Sequence, residues 1–170
     1  YSRITEFRHQ EWAFYLTFAK RQCKDFYWGA NIKIIRRDIA EFGATGIGFD
    51  IGAYWMPIEN LSIGGNLQDA TTTLVAWSTG TNELISPTLK VGSAYRITEI
   101  FGGYIMPAVD LDIRFENRRF AAEGNLGPIS FDAHAGLEWN IKDLVYIRGG
   151  YSDVKQFTAG AGIKLPKLNI

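Results

Sequence analysis

The sequence predicts an all-β chain that folds as a transmembrane, antiparallel, up-and-down β-barrel. Apolar and polar residues alternate with a period of two in segment after segment, which is typical of strands with two different faces. Aromatic residues make up 14% of the chain, and 18 glycines stand against 5 prolines, a mixture that suits strands joined by tight turns. The connections between the segments alternate between short and long, as they do in outer-membrane barrels.

Nine complete segments carry the alternation, and a tenth begins at Leu168. In chain order the segments cover residues 12–19, 26–34, 47–55, 61–68, 88–97, 109–115, 131–139, 145–151 and 157–165. Most of them approach the length of about 9–11 residues that a tilted strand needs to cross a bilayer. We therefore expect nine or ten antiparallel strands and no helix longer than about two turns.

The connections between the segments separate a membrane barrel from a soluble one. They comprise residues 22–25, 36–44, 56–60, 70–86, 98–103, 116–128, 140–143, 152–156 and 166–167. In an outer-membrane barrel, short turns lie on the periplasmic side and long loops lie outside the cell. Trp28, Trp55, Tyr95 and Trp139 lie close to short turns, which is the pattern of an aromatic girdle at one membrane interface.

One face of nearly every segment is free of charge, and the other face carries the ionisable residues. The charged face holds Lys33, Asp50, Lys90, Arg96, Asp110, Asp112, Arg114, Asp132, His134, Glu138, Arg148 and Lys164. An Arg or Lys on the lipid side of a barrel costs about 2–4 kcal/mol at mid-bilayer. The uncharged face is therefore expected to point outward into lipid, and the charged face inward.

A soluble lipocalin-like barrel is the main alternative, and it would invert this orientation. Lipocalins carry an N-terminal Gly-x-Trp signature, whereas Trp12 follows Gln10 and Glu11 here.

Composition excludes several other classes of protein. The 18 basic residues balance the 18 acidic ones, so no net charge favours nucleic acid. Cys23 is the only cysteine, and His9 and His134 lie far apart in the sequence, so no disulfide and no zinc motif is expected. No apolar run approaches the about 20 residues of a membrane-spanning helix. Since residues 1–10 are polar, we also expect no signal peptide here and take the chain as mature, processed or a fragment.

Several stretches resemble a known family of membrane proteins. They are 26–35 (FYWGANIKII), 45–67 (TGIGFDIGAYWMPIENLSIGGNL), 77–81 (WSTGT), 84–97 (LISPTLKVGSAYRI), 137–151 (LEWNIKDLVYIRGGY) and 157–170 (FTAGAGIKLPKLNI). In this order and spacing they resemble the PorV/PorQ family of outer-membrane proteins, which are similar in fold to the FadL-type fatty-acid channels. The resemblance covers residues 11–170.

The resemblance implies a bacterial outer-membrane location and a surface binding and export role linked to type IX protein secretion. The alternative, also implied by it, is a FadL-like passive channel for hydrophobic small molecules. The expected partners are outer-membrane lipid, lipopolysaccharide and other secretion or surface proteins. An Asn-Pro-Ala-Gly-like segment and a plug, which are present in the family, are not found in this sequence. The resemblance implies that residues 1–170 form one domain that is part of a barrel of about 14 strands.

The densest polar cluster is predicted on the sixth to eighth segments. It comprises Asp110, Asp112, Arg114, Asp132, His134, Glu138 and Arg148. We expect these side chains to form an interior network of ion pairs without a catalytic role, so that the chain is not an enzyme and needs no cofactor. Two alternatives remain: His134 as a general base beside Ser130, and a metal site of Asp132, His134 and Glu138. The metal site is disfavoured because alternate positions on one strand lie about 7 Å apart.

Two predicted loops carry candidate contacts with other molecules. The 70–86 loop is unusually apolar, and Leu74, Val75 and Trp77 are its candidate partner-binding residues. The arginine pairs 36–37 and 118–119 lie in predicted outer loops, where they are candidates for contact with lipopolysaccharide phosphates or are simply solvated.

Overall fold

The computed structural model describes residues 9–40, 42–71, 73–78, 80–116, 123–152, 156–165 and 168–169. Every regular element in these ranges is a β-strand. The strands are β1 (His9–Cys23), β2 (Phe26–Ile39), β3 (Phe42–Ile58), β4 (Leu61–Gln68), β5 (Thr73–Trp77), β6 (Asn82–Ile85), β7 (Thr88–Tyr95), β8 (Ile97–Ile100), β9 (Gly103–Arg114), β10 (Gly124–Leu126), β11 (Ile129–Ile141), β12 (Val145–Tyr151), β13 (Phe157–Leu165) and β14 (Leu168–Asn169). The prediction of an all-β chain is thereby confirmed.

The strands form an antiparallel meander. Ten of them follow one another across the sheet in the order β1-β2-β3-β4-β7-β9-β11-β12-β13-β14, and these ten correspond to the ten predicted segments. Within the described ranges no backbone pairing joins β1 to β13 or β14, so the sheet has two open edges. None of the described residues forms a helix long and apolar enough to cross a membrane.

Several predicted connections are strands, so the predicted loop lengths are partly wrong. The 36–44 loop is a tight hairpin, because β2 continues to Ile39 and β3 begins at Phe42. Within the 70–86 loop, β5 and β6 pair with each other, and β5 also pairs with β3. The 98–103 and 116–128 connections contain β8 and β10. Residues 117–122, 153–155 and 166–167 lie outside the described residues. In the described parts of the four connections 36–44, 70–86, 98–103 and 116–128, strand pairing continues although the alternation of apolar and polar residues stops.

The sheet exposes its apolar face. On β1, Leu16 is 72% exposed, and on β3 and β11 Ile51 and Leu137 are each 49% exposed. The opposite face of the same sheet carries the buried residues, and along β3 buried and exposed positions alternate from Ala44 to Ile51. For clarity we call these the outer face and the inner face.

The inner face buries charged side chains. Lys33 and Asp50 are each 8% exposed, Asp112 is 2% exposed, and Asp132 is fully buried. Ala44 and Val75 are the buried hydrophobic residues among those described. The sheet therefore reverses the usual arrangement of a globular protein, because its large apolar side chains are exposed and its charged side chains are buried. Charged residues are almost never fully buried unless they are paired, and these are paired.

Candidate functional site

The strand register determines which charged residues meet on the inner face. Asp110 of β9 lies directly opposite His134 of β11, and Asp112 lies opposite Asp132. On the other side of β9, Lys90 of β7 lies opposite Asp112. Directly opposed residues in an antiparallel pair have Cβ atoms about 4.5–5.5 Å apart, so their side chains interact. The three adjacent strands therefore assemble one charged cluster from positions far apart in the sequence.

The centre of this cluster is the buried Asp112 carboxylate. Its Oδ2 atom lies 2.7 Å from Lys90 Nζ and 3.6 Å from Arg114 NH2. The Arg114 guanidinium also lies 3.8 Å from Asp132 Oδ2, so it stands between two buried carboxylates. Asp132 Oδ1 in addition accepts a hydrogen bond from the backbone N–H of Glu123 at 3.0 Å. Arg114 thus links β9 and β11, because it lies between the Asp112 and Asp132 carboxylates, which would otherwise repel each other.

His134 lies at the edge of the same cluster. Its Nδ1 atom is 3.2 Å from Asp110 Oδ2, and the Asp110 side chain is about half exposed. Gly92 allows β7 to approach this pair closely, because a Cβ atom at that position would lie 2.8 Å from the Cβ of Asp110. A larger residue at position 92 would displace Asp110, so the glycine positions the pair.

Glu138 and Arg148 form a second group, nearer the 142–144 turn. The Arg148 Nε atom donates to Glu138 Oε2 at 2.6 Å, and the Tyr104 hydroxyl donates to Oε1 at 2.7 Å. Four residues along one strand correspond to about 13 Å, which is the separation of Glu138 from His134. The seven residues predicted as one network therefore lie in two groups.

A third group had only been predicted in part. Lys33 Nζ lies 2.8 Å from Asp50 Oδ1 and 2.7 Å from Asp69 Oδ1, and all three side chains are at least 85% buried. The sequence indicated that Lys33 and Asp50 face inward. It offered no signal for Asp69, which follows β4 in a turn with a φ of 53° that turns its side chain back.

Ser130, the nucleophile considered for this cluster, does not lie beside His134. Ser130 is fully buried on the inner face, and it lies opposite Arg114 in the register. It is four residues from His134 on the same strand, or about 13 Å. A hydrogen bond between a nucleophile and its base requires about 2.6–3.2 Å. This separation removes the hydrolase hypothesis based on Ser130 and His134.

The candidate partner residues lie on β5 and not in a loop. Val75 is 6% exposed, and Trp77 is half-buried, so neither forms an accessible surface. For Leu74, the backbone pairs with Ile47 and Leu84. Leu84, on β6, is an exposed apolar side chain of this hairpin. Val75 lies on the inner face, opposite Gly46 of β3, and partner binding by Leu74, Val75 and Trp77 stays a prediction.

The arginines of the predicted outer loop are already paired. Arg36 NH2 lies 2.7 Å from Asp38 Oδ1, and Arg37 NH2 lies 3.0 Å from Glu11 Oε1. These pairs weaken the case for phosphate contacts at this position. Residues 118 and 119 lie outside the described residues.

The chain matches no protein-family model, no curated protein and no solved structure.

Proposed function

We propose that this chain forms part of the wall of a β-barrel in a bacterial outer membrane. The observation that carries the proposal is the reversal of polarity between the two faces of the sheet. Apolar side chains are exposed on the outer face, whereas ion pairs are buried on the inner face. In lipid, the apolar side chains of the outer face would contact hydrocarbon and not water. The charged residues would avoid hydrocarbon because they face inward.

A soluble fold explains the two faces less well. Soluble monomers rarely expose a contiguous apolar patch larger than a few hundred Å². Here exposed apolar side chains continue from strand to strand, and the set on β1 alone includes Trp12, Phe14, Leu16 and Phe18. A face of this kind in water would drive aggregation, so a bilayer is the simplest partner for it.

The open edges of the sheet add a requirement to the proposal. Unpaired backbone N–H and C=O groups cost several kcal/mol each in the hydrocarbon core. The edge at β1 and the edge formed by β13 and β14 must therefore be paired in the membrane, and a barrel of about 14 strands, as in the resembled family, would pair them.

Within this barrel we propose a surface binding and export role linked to protein secretion. Its support is the resemblance of 26–35, 45–67 and 84–97 to the PorV/PorQ family, together with an inner face that is charged. A charged interior does not suit a path for hydrophobic molecules. The export role predicts that cells lacking the protein retain secreted proteins in the periplasm.

One observation favours the second candidate, a FadL-like channel. An open groove of about 450 Å³ is lined by β3, β4, β7 and β9, and its lining includes Gly64, Gly92, Ala94 and Ala108 as well as the charged Lys90 and Asp110. Small residues leave space beside the strands for a solute. Vesicles that contain the full-length protein would then take up long-chain fatty acids faster than empty vesicles, a result that the export role does not predict.

The membrane proposal can be tested with pairs of cysteines on neighbouring residues. Cys23 is the only native cysteine, so Cys23→Ser provides a cysteine-free background. Ala161→Cys and Val109→Cys report on the outer face, while Gly160→Cys and Ala108→Cys report on the inner face of the same strands. Each variant of the full-length protein is placed in lipid vesicles and treated with a membrane-impermeant or a membrane-soluble maleimide.

We expect the outer-face cysteines to react with the membrane-soluble reagent and to be protected from the impermeant one. The inner-face cysteines should show the opposite preference. Equal reaction of both members of a pair with the impermeant reagent, in protein that stays dissolved without detergent, would refute the membrane location.

A further inference from the structure

We propose that Asp110, Asp112 and His134 form a binding site for a divalent transition-metal ion of the zinc class. The site lies on the inner face, between β9 and β11. This proposal rests on the side-chain geometry and holds whether or not the outer face contacts lipid.

The three residues converge because the register brings them together from two strands. Each of them offers one ligand atom, and these atoms all lie within 4.8 Å of one another. Bonds from zinc to nitrogen or oxygen ligands are about 2.0–2.2 Å long, so ligand atoms around one ion lie about 3–4 Å apart. Small side-chain rotations would close the remaining gap. The metal site considered from the sequence used Asp132, His134 and Glu138 of one strand, but Glu138 lies about 13 Å from His134 along β11, in the group with Arg148.

An unsatisfied atom of Asp112 points independently to a cation. The Asp112 side chain is 2% exposed, and its Oδ2 atom is taken by Lys90 and Arg114. Its Oδ1 atom is buried and has no hydrogen-bond donor among the described residues. Buried polar atoms nearly always have a partner, and a buried carboxylate oxygen without one is costly. A metal ion would supply that partner.

The charge balance of the cluster also favours a divalent cation. The carboxylates of Asp110, Asp112 and Asp132 lie among two permanent cations, Lys90 and Arg114. Glu123 adds a fourth carboxylate, whose Oε2 atom accepts a hydrogen bond from the Ala133 N–H beside Asp132. Among the described residues, carboxylates therefore outnumber permanent cations in this cluster, and such an excess of negative charge attracts a cation.

The donor set selects the class of ion. One imidazole nitrogen and two carboxylate oxygens suit zinc and its neighbours in the first transition row. Calcium prefers a shell of 6–8 oxygen ligands, which this site does not offer. We assign the ion a structural role, as a link between β9 and β11.

The test measures metal binding to the full-length protein in detergent micelles after removal of bound metal. Zn²⁺ titration is followed by calorimetry, and Co²⁺ substitution by visible absorption bands that report coordination by protein ligands. We expect saturable binding of one ion per chain. Asp112→Asn and His134→Ala should each weaken binding at least tenfold and abolish the Co²⁺ bands.

Glu138→Gln is the matched control, because it removes a carboxylate from the inner face of the same strand outside the site. Binding to this variant should stay within twofold of the parent. If Asp112→Asn prevents folding, Asp110→Asn replaces it, since the Asp110 side chain is about half exposed. The proposal is wrong if no saturable binding occurs at up to millimolar Zn²⁺, or if the Glu138→Gln loss equals that of the site variants.

Discussion

The outer and inner faces of this sheet are made by the same strands, yet they follow opposite rules. On β11, Leu137 is half exposed on the outer face, while Asp132 is fully buried on the inner face. The outer face is mainly apolar, and its ion pair between Arg36 and Asp38 lies at a strand end, so most of this face gains by contact with an apolar medium. The inner face consists of ion pairs that depend on one another. Substitutions on the inner face should therefore act through the loss of an ionic partner. Substitutions on the outer face should act through the contact of that face with an apolar medium.

The largest effect is expected at the tightest group on the inner face. Lys33→Met leaves the Asp50 and Asp69 carboxylates buried without their cation, whose contacts are 2.8 and 2.7 Å. Removing one partner of a buried pair typically costs about 3–5 kcal/mol. The loss is measured by urea titration of the full-length protein folded into lipid vesicles. Lys164→Met, at an exposed inner-face lysine, should change stability little. Equal losses in both variants would contradict the central role of Lys33.

The second prediction places the same charge on the two faces of one strand. Leu137→Arg puts a cation on the outer face, and in lipid this should cost up to about 2–4 kcal/mol. Gly136→Arg puts it on the inner face, where an added Cβ meets only the Gly149 carbonyl oxygen at 3.7 Å, an ordinary contact. The free energy of unfolding in vesicles should therefore fall more for Leu137→Arg. The reverse order would mean that the inner face, and not the outer one, contacts lipid.

Positions 136 and 137 also show which part of the structure the sequence alone could predict. The period of two in the alternation assigned Leu137 and its neighbours to their faces, because successive side chains of a strand point to opposite sides. It could not provide the register, since the pairing of Asp110 with His134 depends on where each hairpin turns. The convergence of Asp110, Asp112 and His134 was therefore beyond sequence reasoning.

Strand ends were harder to predict for a related reason. The charged residues Arg36 and Arg37 interrupt the alternation and suggested a loop. In the structure Arg37 pairs with Glu11, which lies opposite it on β1 but 26 residues earlier in the chain. A long-range partner of this kind satisfies the charge and lets the strand continue, and local patterns carry no information about it.

The third prediction concerns the cluster around Asp112, whose contacts with Arg114 are longer than those of Lys33. Arg114→Met removes the cation that lies 3.6 and 3.8 Å from Asp112 and Asp132. Because Lys90 still contacts Asp112, the expected loss is about 1–3 kcal/mol, the cost of leaving a buried acceptor unsatisfied. Resistance of the folded protein to heat in a detergent gel provides the measurement. A loss larger than that of Lys33→Met would show that Arg114 holds the interior together more than the tighter group does.

The smallest effect is expected at the edge strand, and it separates exposed pairs from buried ones. Glu11 and Arg37 have side chains that are 40% and 37% exposed, although they belong to the same face as Lys33. Exposed ion pairs contribute about 0–1 kcal/mol, and salt screens them. Glu11→Gln should therefore cost at most about 1 kcal/mol at low salt, and the cost should fall steadily as salt rises toward about 1 M, where the Debye length is about 3 Å.

The loss caused by Lys33→Met should hardly change over the same range of salt, because a buried pair is screened much less. Unfolding curves of both variants at low and high salt measure this difference. A cost for Glu11→Gln that exceeds about 2 kcal/mol and persists in salt would contradict its assignment to an exposed pair. It would indicate instead that another strand covers β1 in the assembled protein, because only removal from water makes such a pair both strong and insensitive to salt.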